Sequence, residues 1–182
     1  MWWRTQSEKF YPFAVVQESP IQIDSSSLKP FPFKKYTIKP FAEFQMKGLV
    51  LSEHHYYWGR ASELVPVDLA LGWGPMSDGN ILKEMSVSQM HRWYFFSYDK
   101  PLSISGREIN THSANMHLIP ATPEIARKIK EVRKSNIVEF KGYLVDLTAP
   151  DGFFWNSSRS RDDTGDGACE LVWVDEFDVV NP

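Results

Sequence analysis

The chain predicts an α+β fold, and three observations carry that reading. Segments with the period-two alternation of half-buried strands recur along it. One segment, TPEIARKIKEVRK, combines a helix start signal with a single apolar face. The first forty residues are broken by Pro12, Pro20, Pro30, Pro32 and Pro40 around DSSS, a composition that resists regular structure and suits an extended N-terminal arm. Residues 1–40 are therefore expected to form the arm and residues 41–182 a single domain. The arm's aromatic residues, Trp2, Trp3, Phe10, Tyr11, Phe13, Phe31 and Phe33, call for something to pack on.

The elements follow in order. In FAEFQMKGLVLSEHHYYW, Ala42, Phe44 and Met46 alternate with Glu43, Gln45 and Lys47, so a strand is expected, with a bulge or bend at Gly48. His54 and His55, beside Tyr56, Tyr57 and Trp58, read as a hairpin reaching the surface. Pro66 is placed to start a short helix through Leu71, and Ser77 or Asp78 to cap another through Glu84, with Gly72, Gly74 and Pro75 between them. HRWYFFSY is aromatic and reads as a strand. Thr122 as N-cap, Pro123 in the first helical position and Glu124 at the positive end of the dipole open the main helix, expected over residues 122–134. Ile125, Ile129 and Val132 share its apolar face, and Arg127, Lys128, Lys130, Arg133 and Lys134 its solvated one. NIVEFKGYLVDLTA and ACELVWVDEFDVV read as two long strands, joined through a turn at Pro150 to Gly152 and a short extra strand. One helix before the last two strands is the arrangement of small five-stranded Greek-key barrels, so the expectation sharpens to a small OB-like barrel with short helical excursions. An open α+β sheet is the alternative.

Composition narrows function by class. Of the 182 residues, 42% are apolar and 14% aromatic, which describes a globular chain. A net charge of −3 supplies no global field toward phosphate backbones or anionic lipid, so nucleic acid is not the expected partner. Cys169 is alone, so no disulfide forms within the chain. No apolar run approaches the roughly 20 residues of a membrane span, and MWWRTQSEKFYPF lacks the apolar core of a secretory signal.

Chemistry-bearing residues concentrate in two stretches. SSRSRDDTGDG counts as a calcium loop from Asp162 through Thr164, Asp166 and Gly167, but its twelfth position is Trp173 where a bidentate Glu is needed. It reads instead as a polar turn in which Arg159 and Arg161 pair with Asp162, Asp163 and Asp166, or offer themselves to an anion. HSANMH places His112 and His117 five apart, a spacing that brings them together neither on a helix nor on a strand, so no zinc pair is expected. His112, Ser113 and Asn115 are expected to organise a loop before the main helix. Cys169 shares a strand face with Leu171 and Trp173 and reads as a small buried hydrophobe. A ligand site, if built, is expected where the polar turn approaches HSANMH and GWGPMSD. It would draw on Trp73, Asp78, His112, Ser113, Asn115, His117, Arg159, Arg161 and Asp162, without metal or cofactor.

PVDLALGWGPMSD, SVSQMHRWYFFSY, HSANMHLIPA and SSRSRDDTGDGACELVWV, in this order, resemble an uncharacterised family of small proteobacterial proteins with no established activity. The resemblance runs from about Pro20 to the C-terminus. Its members typically carry an N-terminal membrane anchor, so it implies the soluble part of an envelope protein on the periplasmic face of a membrane. MWWRTQSEKF stands where the anchor is expected, so a cytoplasmic location is the alternative. The family supplies no catalytic residues.

The expectation is thus a non-enzymatic binding or assembly module of the bacterial envelope with a protein partner. Two alternatives stand beside it. One is a hydrolase with His112 or His117 as base, Arg159 and Arg161 for an anionic transition state and Cys169 as an outside candidate for nucleophile. The other is a barrel that binds single-stranded nucleic acid.

Overall fold

A computed structural model describes residues 9–159 and 169–181. The strands are β1 (Ile21–Asp24), β2 (Phe31–Phe33), β3 (Tyr36–His55), β4 (Val67–Gly72), β5 (Ser86–Met90), β6 (Trp93–Ser97), β7 (Ser113–Pro120), β8 (Ile137–Thr148), β9 (Phe154–Trp155) and β10 (Glu170–Val180). The helices are α1 (Gly79–Leu82), α2 (Gly106–His112) and α3 (Pro123–Glu131). Mostly β with a few helices, the chain is of the α+β class.

The order β3-β4-β7-β10-β8 closes on itself because β8 also pairs with β3, making a closed ring of strands. Every pair in the ring is antiparallel except β7 with β10. The 20 residues of β3 make this possible. Its first half pairs with β1 and β2 on one edge and its last third with β4, while β8 follows the other edge. Strand β3 runs across Pro40, where the arm was expected to end, and residues 21–24 and 31–33 of that arm are already sheet. The bend expected at Gly48 lies instead at two register shifts, between Pro40 and Ala42 against β8 and between Val50 and Ser52 against β4.

The alternation read in β3 is real: Ala42, Phe44 and Met46 are buried in a core that takes Leu69 and Leu71 from β4, Met116 and Leu118 from β7, Phe140 from β8 and Val172 from β10. Helix α3 adds Ile125 and Ile129. On the other face of β7 and β10, Ile119, Leu171 and Trp173 form a second cluster, with the Trp173 ring held edge-on between Phe31 and Phe33 at 4.9 and 4.8 Å.

Helix α3 starts as expected, Thr122 accepting a hydrogen bond from the Ile125 amide at 3.2 Å, with Pro123 in the first turn. It stops at Glu131, short of residue 134, because Val132 turns extended and is buried. The helix expected from Pro66 is strand β4, all six residues of which are buried. A central strand covered on both faces loses its alternation and cannot be told from a short helix by periodicity. The excursion after Asp78 is α1, capped by the Asp78 carboxylate on the Asn80 amide at 2.8 Å and ending at Leu82 rather than Glu84. HRWYFFSY is half a hairpin: β6 pairs with β5 through a turn in which His91 and Arg92 have φ of 53° and 71°. The loop expected around His112 is the end of α2 followed directly by β7. Ser105 and Glu108 start α2 with a reciprocal capping box. None of the described helices is long and apolar enough to cross a membrane.

Candidate functional site

Register brings the site together. Pairing of β4 with β7 sets Asp68 opposite His117 and Ala70 opposite Asn115, and pairing of β7 with β10 sets Leu171 beside His117. Asp68 is fully buried, and a carboxylate out of water needs a counter-charge. Arg92, from the β5–β6 turn, supplies it: its Nη1 donates to Asp68 Oδ1 at 2.7 Å and to the Val65 carbonyl at 3.0 Å. His117 Nδ1 stands 3.0 Å from the same Oδ1, out of alignment for a hydrogen bond, and Asp68 Oδ2 has no hydrogen-bond partner. With Nδ1 turned to Asp68, the Nε2 edge of the His117 imidazole faces away from the carboxylate.

Aromatic rings frame these groups. The Arg92 guanidinium lies 3.5 Å over the Tyr56 ring and 5.5 Å from that of Trp155, and Trp155 sits 5.0 Å from the His117 imidazole. The Arg92 amide donates to the Tyr56 hydroxyl at 2.9 Å. Burial, reinforced by the Asp68 charge, pushes the Tyr56 phenol up to about 12, so this hydroxyl stays protonated. Asn115 ties the floor together, donating to the Arg92 carbonyl at 2.9 Å and accepting from Gln89 at 2.6 Å. The Cys169 thiol is 3.8 Å from that same carbonyl. Burial, with the Glu170 charge beside it, pushes the thiol up to about 12, which leaves a neutral S–H.

Above this floor lies a pocket of about 420 Å³ lined by Arg92, Trp93, His117, Phe154, Trp155 and Cys169, among others. Its rim is clamped. Arg60, on the β3–β4 connection, grips both oxygens of Asp151 at 2.6 and 3.0 Å and lies 4.2 Å over Phe153. Large exposed rings stand beside this clamp: Tyr57, 76% exposed, and Trp58, 90%, on the β3–β4 connection, and Phe154, 69%, at the start of β9. The arrangement can stack flat groups and offer one imidazole edge; it holds no thiolate.

The nine residues expected to form the site fall into separate groups. Trp73 belongs with His112 and Ser113 where α2 meets β7, and Asp78 stays with the start of α1: the Trp73 amide donates to the His112 carbonyl at 3.0 Å, Ser113 Oγ donates to the Ile109 carbonyl at 2.7 Å, and the Asp78 carboxylate accepts from the Asn80 amide. His112 Nδ1 is 2.9 Å from the Glu108 carbonyl and closes the helix end. Asn115 and His117 lie under the pocket. Arg159 pairs with Asp146 and covers Phe41 at 3.6 Å, while the aspartates of its own turn lie outside the described residues. Arg161, Asp162 and the rest of the calcium-loop count lie outside the described residues. Among the described residues no group of three His, Cys, Asp or Glu is placed to hold a metal ion.

Sequence reading missed Asp68, Arg92 and Trp155. A signal existed for the first: an aspartate inside the apolar run LVPVDLALG must be either a surface residue on a strand or a buried charge with a partner. Nothing local names Arg92 as that partner. Compared with known proteins, the chain matches no family model, no curated protein and no solved structure.

Proposed function

We propose that the chain is a non-enzymatic binding or assembly module on an OB-like barrel, and that a protein partner docks on the aromatic face around the His117 pocket. The OB-like reading is supported by the closed order of five strands, its one parallel pair, and α3 between the third and fourth strands of the ring. The docking reading is carried by one observation: Tyr57, Trp58 and Phe154 are held out in solvent beside the Arg60–Asp151 pair, which joins the β3–β4 connection to the turn before β9. Tryptophan, tyrosine and arginine around a preformed pocket are the composition of interface hot spots, and a rigid display lowers the entropy cost of docking. A hydrolase with a covalent intermediate would need a protein nucleophile beside His117, and burial holds the thiol that lines the pocket protonated. The envelope setting is drawn from the resemblance of the four segments named above.

A second reading has a specific observation in its favour. The exposed rings lie between the first and second and between the fourth and fifth strands of the ring, the connections with which OB-type barrels take oligonucleotides. One experiment separates the two. Trp58→Ala combined with Phe154→Ala is expected to abolish co-purification of a stoichiometric protein partner from the native cell while leaving the fold intact. Salt-dependent binding of oligonucleotides that the same pair of substitutions removes, with no protein partner, would favour the second reading.

A further inference from the structure

The His117 pocket sets a chemical requirement on whatever enters it. Trp93, Phe153, Phe154 and Trp155 line its space of about 420 Å³, within the range of roughly 300–1,000 Å³ usual for ligand sites. His117 lines it too, and its side chain, 3% exposed, is nearly out of water. The imidazole rests on the buried Asp68 carboxylate, with Nδ1 3.0 Å from Oδ1 and without a hydrogen bond. That carboxylate is paired with Arg92, whose Nη1 donates to the same oxygen at 2.7 Å.

This placement selects the tautomer of the imidazole. A lone pair on Nδ1 would face an anionic oxygen at 3.0 Å and be repelled, whereas a proton there is attracted. In the neutral ring the proton therefore sits on Nδ1, and Nε2 carries the lone pair. Among the described residues Nε2 has no hydrogen-bond partner. An acceptor among aromatic walls calls for a donor, because a plain hydrocarbon ring closing over it would leave the nitrogen unpaired and take away its remaining water. The Trp155 ring, 5.0 Å from the imidazole and tilted by 54°, supplies an aromatic wall beside that acceptor.

We infer that this pocket receives an aromatic ring bringing its own hydrogen-bond donor, a phenol or an indole, presented as a tyrosine or tryptophan side chain of the protein partner. The presenter rests on the docking reading above; the chemistry of the ring rests on His117 and the walls around it.

Titration of the full chain, isotopically labelled at histidine and tryptophan and followed by NMR near neutral pH, tests the inference with two matched pairs: p-cresol against p-methylanisole, and indole against N-methylindole. In the free chain His117 Nε2 is expected to resonate as an unprotonated ring nitrogen. p-Cresol and indole are expected to bind saturably, to shift that nitrogen and the Trp155 indole, and to bind about tenfold more tightly than their methylated counterparts, which cannot donate. His117→Phe is expected to abolish the preference within each pair while both members still bind. Should that variant fail to fold, the Nε2 resonance of the parent chain and Trp155→Leu decide, the latter expected to weaken all four ligands about tenfold. A proton on Nε2 in the free chain, equal binding within the pairs, no saturable binding of either donor ring, a preference that survives His117→Phe, or indifference to Trp155→Leu overturns the inference. Each of these leaves the docking reading standing, because co-purification with the Trp58→Ala and Phe154→Ala pair tests that separately. Donor preference with no protein partner does the reverse: it supports the ring chemistry, supplied by a free small aromatic, and overturns presentation by a protein.

Discussion

At the scale of single residues, Asp68 decides the site. Its carboxylate is out of water, and Arg92 answers it through one short hydrogen bond while His117 stands beside the same oxygen. Such a pair adds little over an apolar replacement, but breaking it strands a buried charge. Asp68→Ala is therefore expected to cost about 3–5 kcal/mol in chemical denaturation, far above a surface substitution. Cys169 gives a sharper test of the binding reading. With its thiol pushed up to about 12, the folded protein should be alkylated by iodoacetamide at pH 8 at least about a hundredfold more slowly than a free thiol, and at the ordinary rate once unfolded. Alkylation of the native protein at the rate of a free thiol would return Cys169 to candidacy as a nucleophile. His117 was legible in the sequence as a residue worth attention. Its role was not, because the groups that define it come from β4, the β5–β6 turn and β9, which only the fold brings near.

At the scale of elements, legibility followed exposure. Helix α3, with a cap, a proline and one apolar face, was readable, as were the long strands β3, β8 and β10, of which β3 keeps an alternation of buried and exposed positions over Ala42 to Lys47. Strand β4 was not, since burial on both faces erased its period. The capping box of Ser105 and Glu108 was a local signal for α2 that the histidines after it obscured. The β8–β10 contact depends on a residue with no side chain: a Cβ at Gly142 would lie 1.8 Å from the Trp173 carbonyl oxygen. Gly142→Ala is expected to destabilise by about 2 kcal/mol or more, read as a fall in denaturation midpoint without a change of slope. At the end of β3, burial, with the charges of Arg133, His54 and Lys130, holds His55 below its ordinary 6.5. The unfolded chain then binds the proton more readily than the folded one. Stability from this group is lost below the lowered value, grows with pH up to about 6.5 and is constant above it. Neighbouring Glu53, raised from 4.5 by burial, acts with the opposite sign, losing stability as pH rises from there. His55→Gln is thus expected to flatten the rise in melting temperature with pH below about pH 6.5 relative to the parent chain, leaving the Glu53 contribution in both.

At the scale of the whole molecule, a closed ring was the expectation, and the pairing of strands within it was the least legible feature. The sequence marks strands but not their partners: the aromatic strand after His91 looked like a member of the main sheet and is half of a separate hairpin, while β7 takes the central place beside β4 and β10. That exchange matters to function, because the hairpin is then free to deliver Arg92 over the outer face of the ring. The same topology gathers the β3–β4 connection and the β8–β9 turn at one rim and leaves Trp58 and Phe154 exposed there. The central claim is that this rim is where a protein partner docks, and site-specific photo-crosslinking in the native cell tests it most directly. A benzophenone side chain placed at position 58 or 154 should capture the same discrete partner, and one placed at Val179, exposed but away from the rim residues in sequence and strand, should not. No adduct from either rim position, or the same adducts from Val179, would contradict the account.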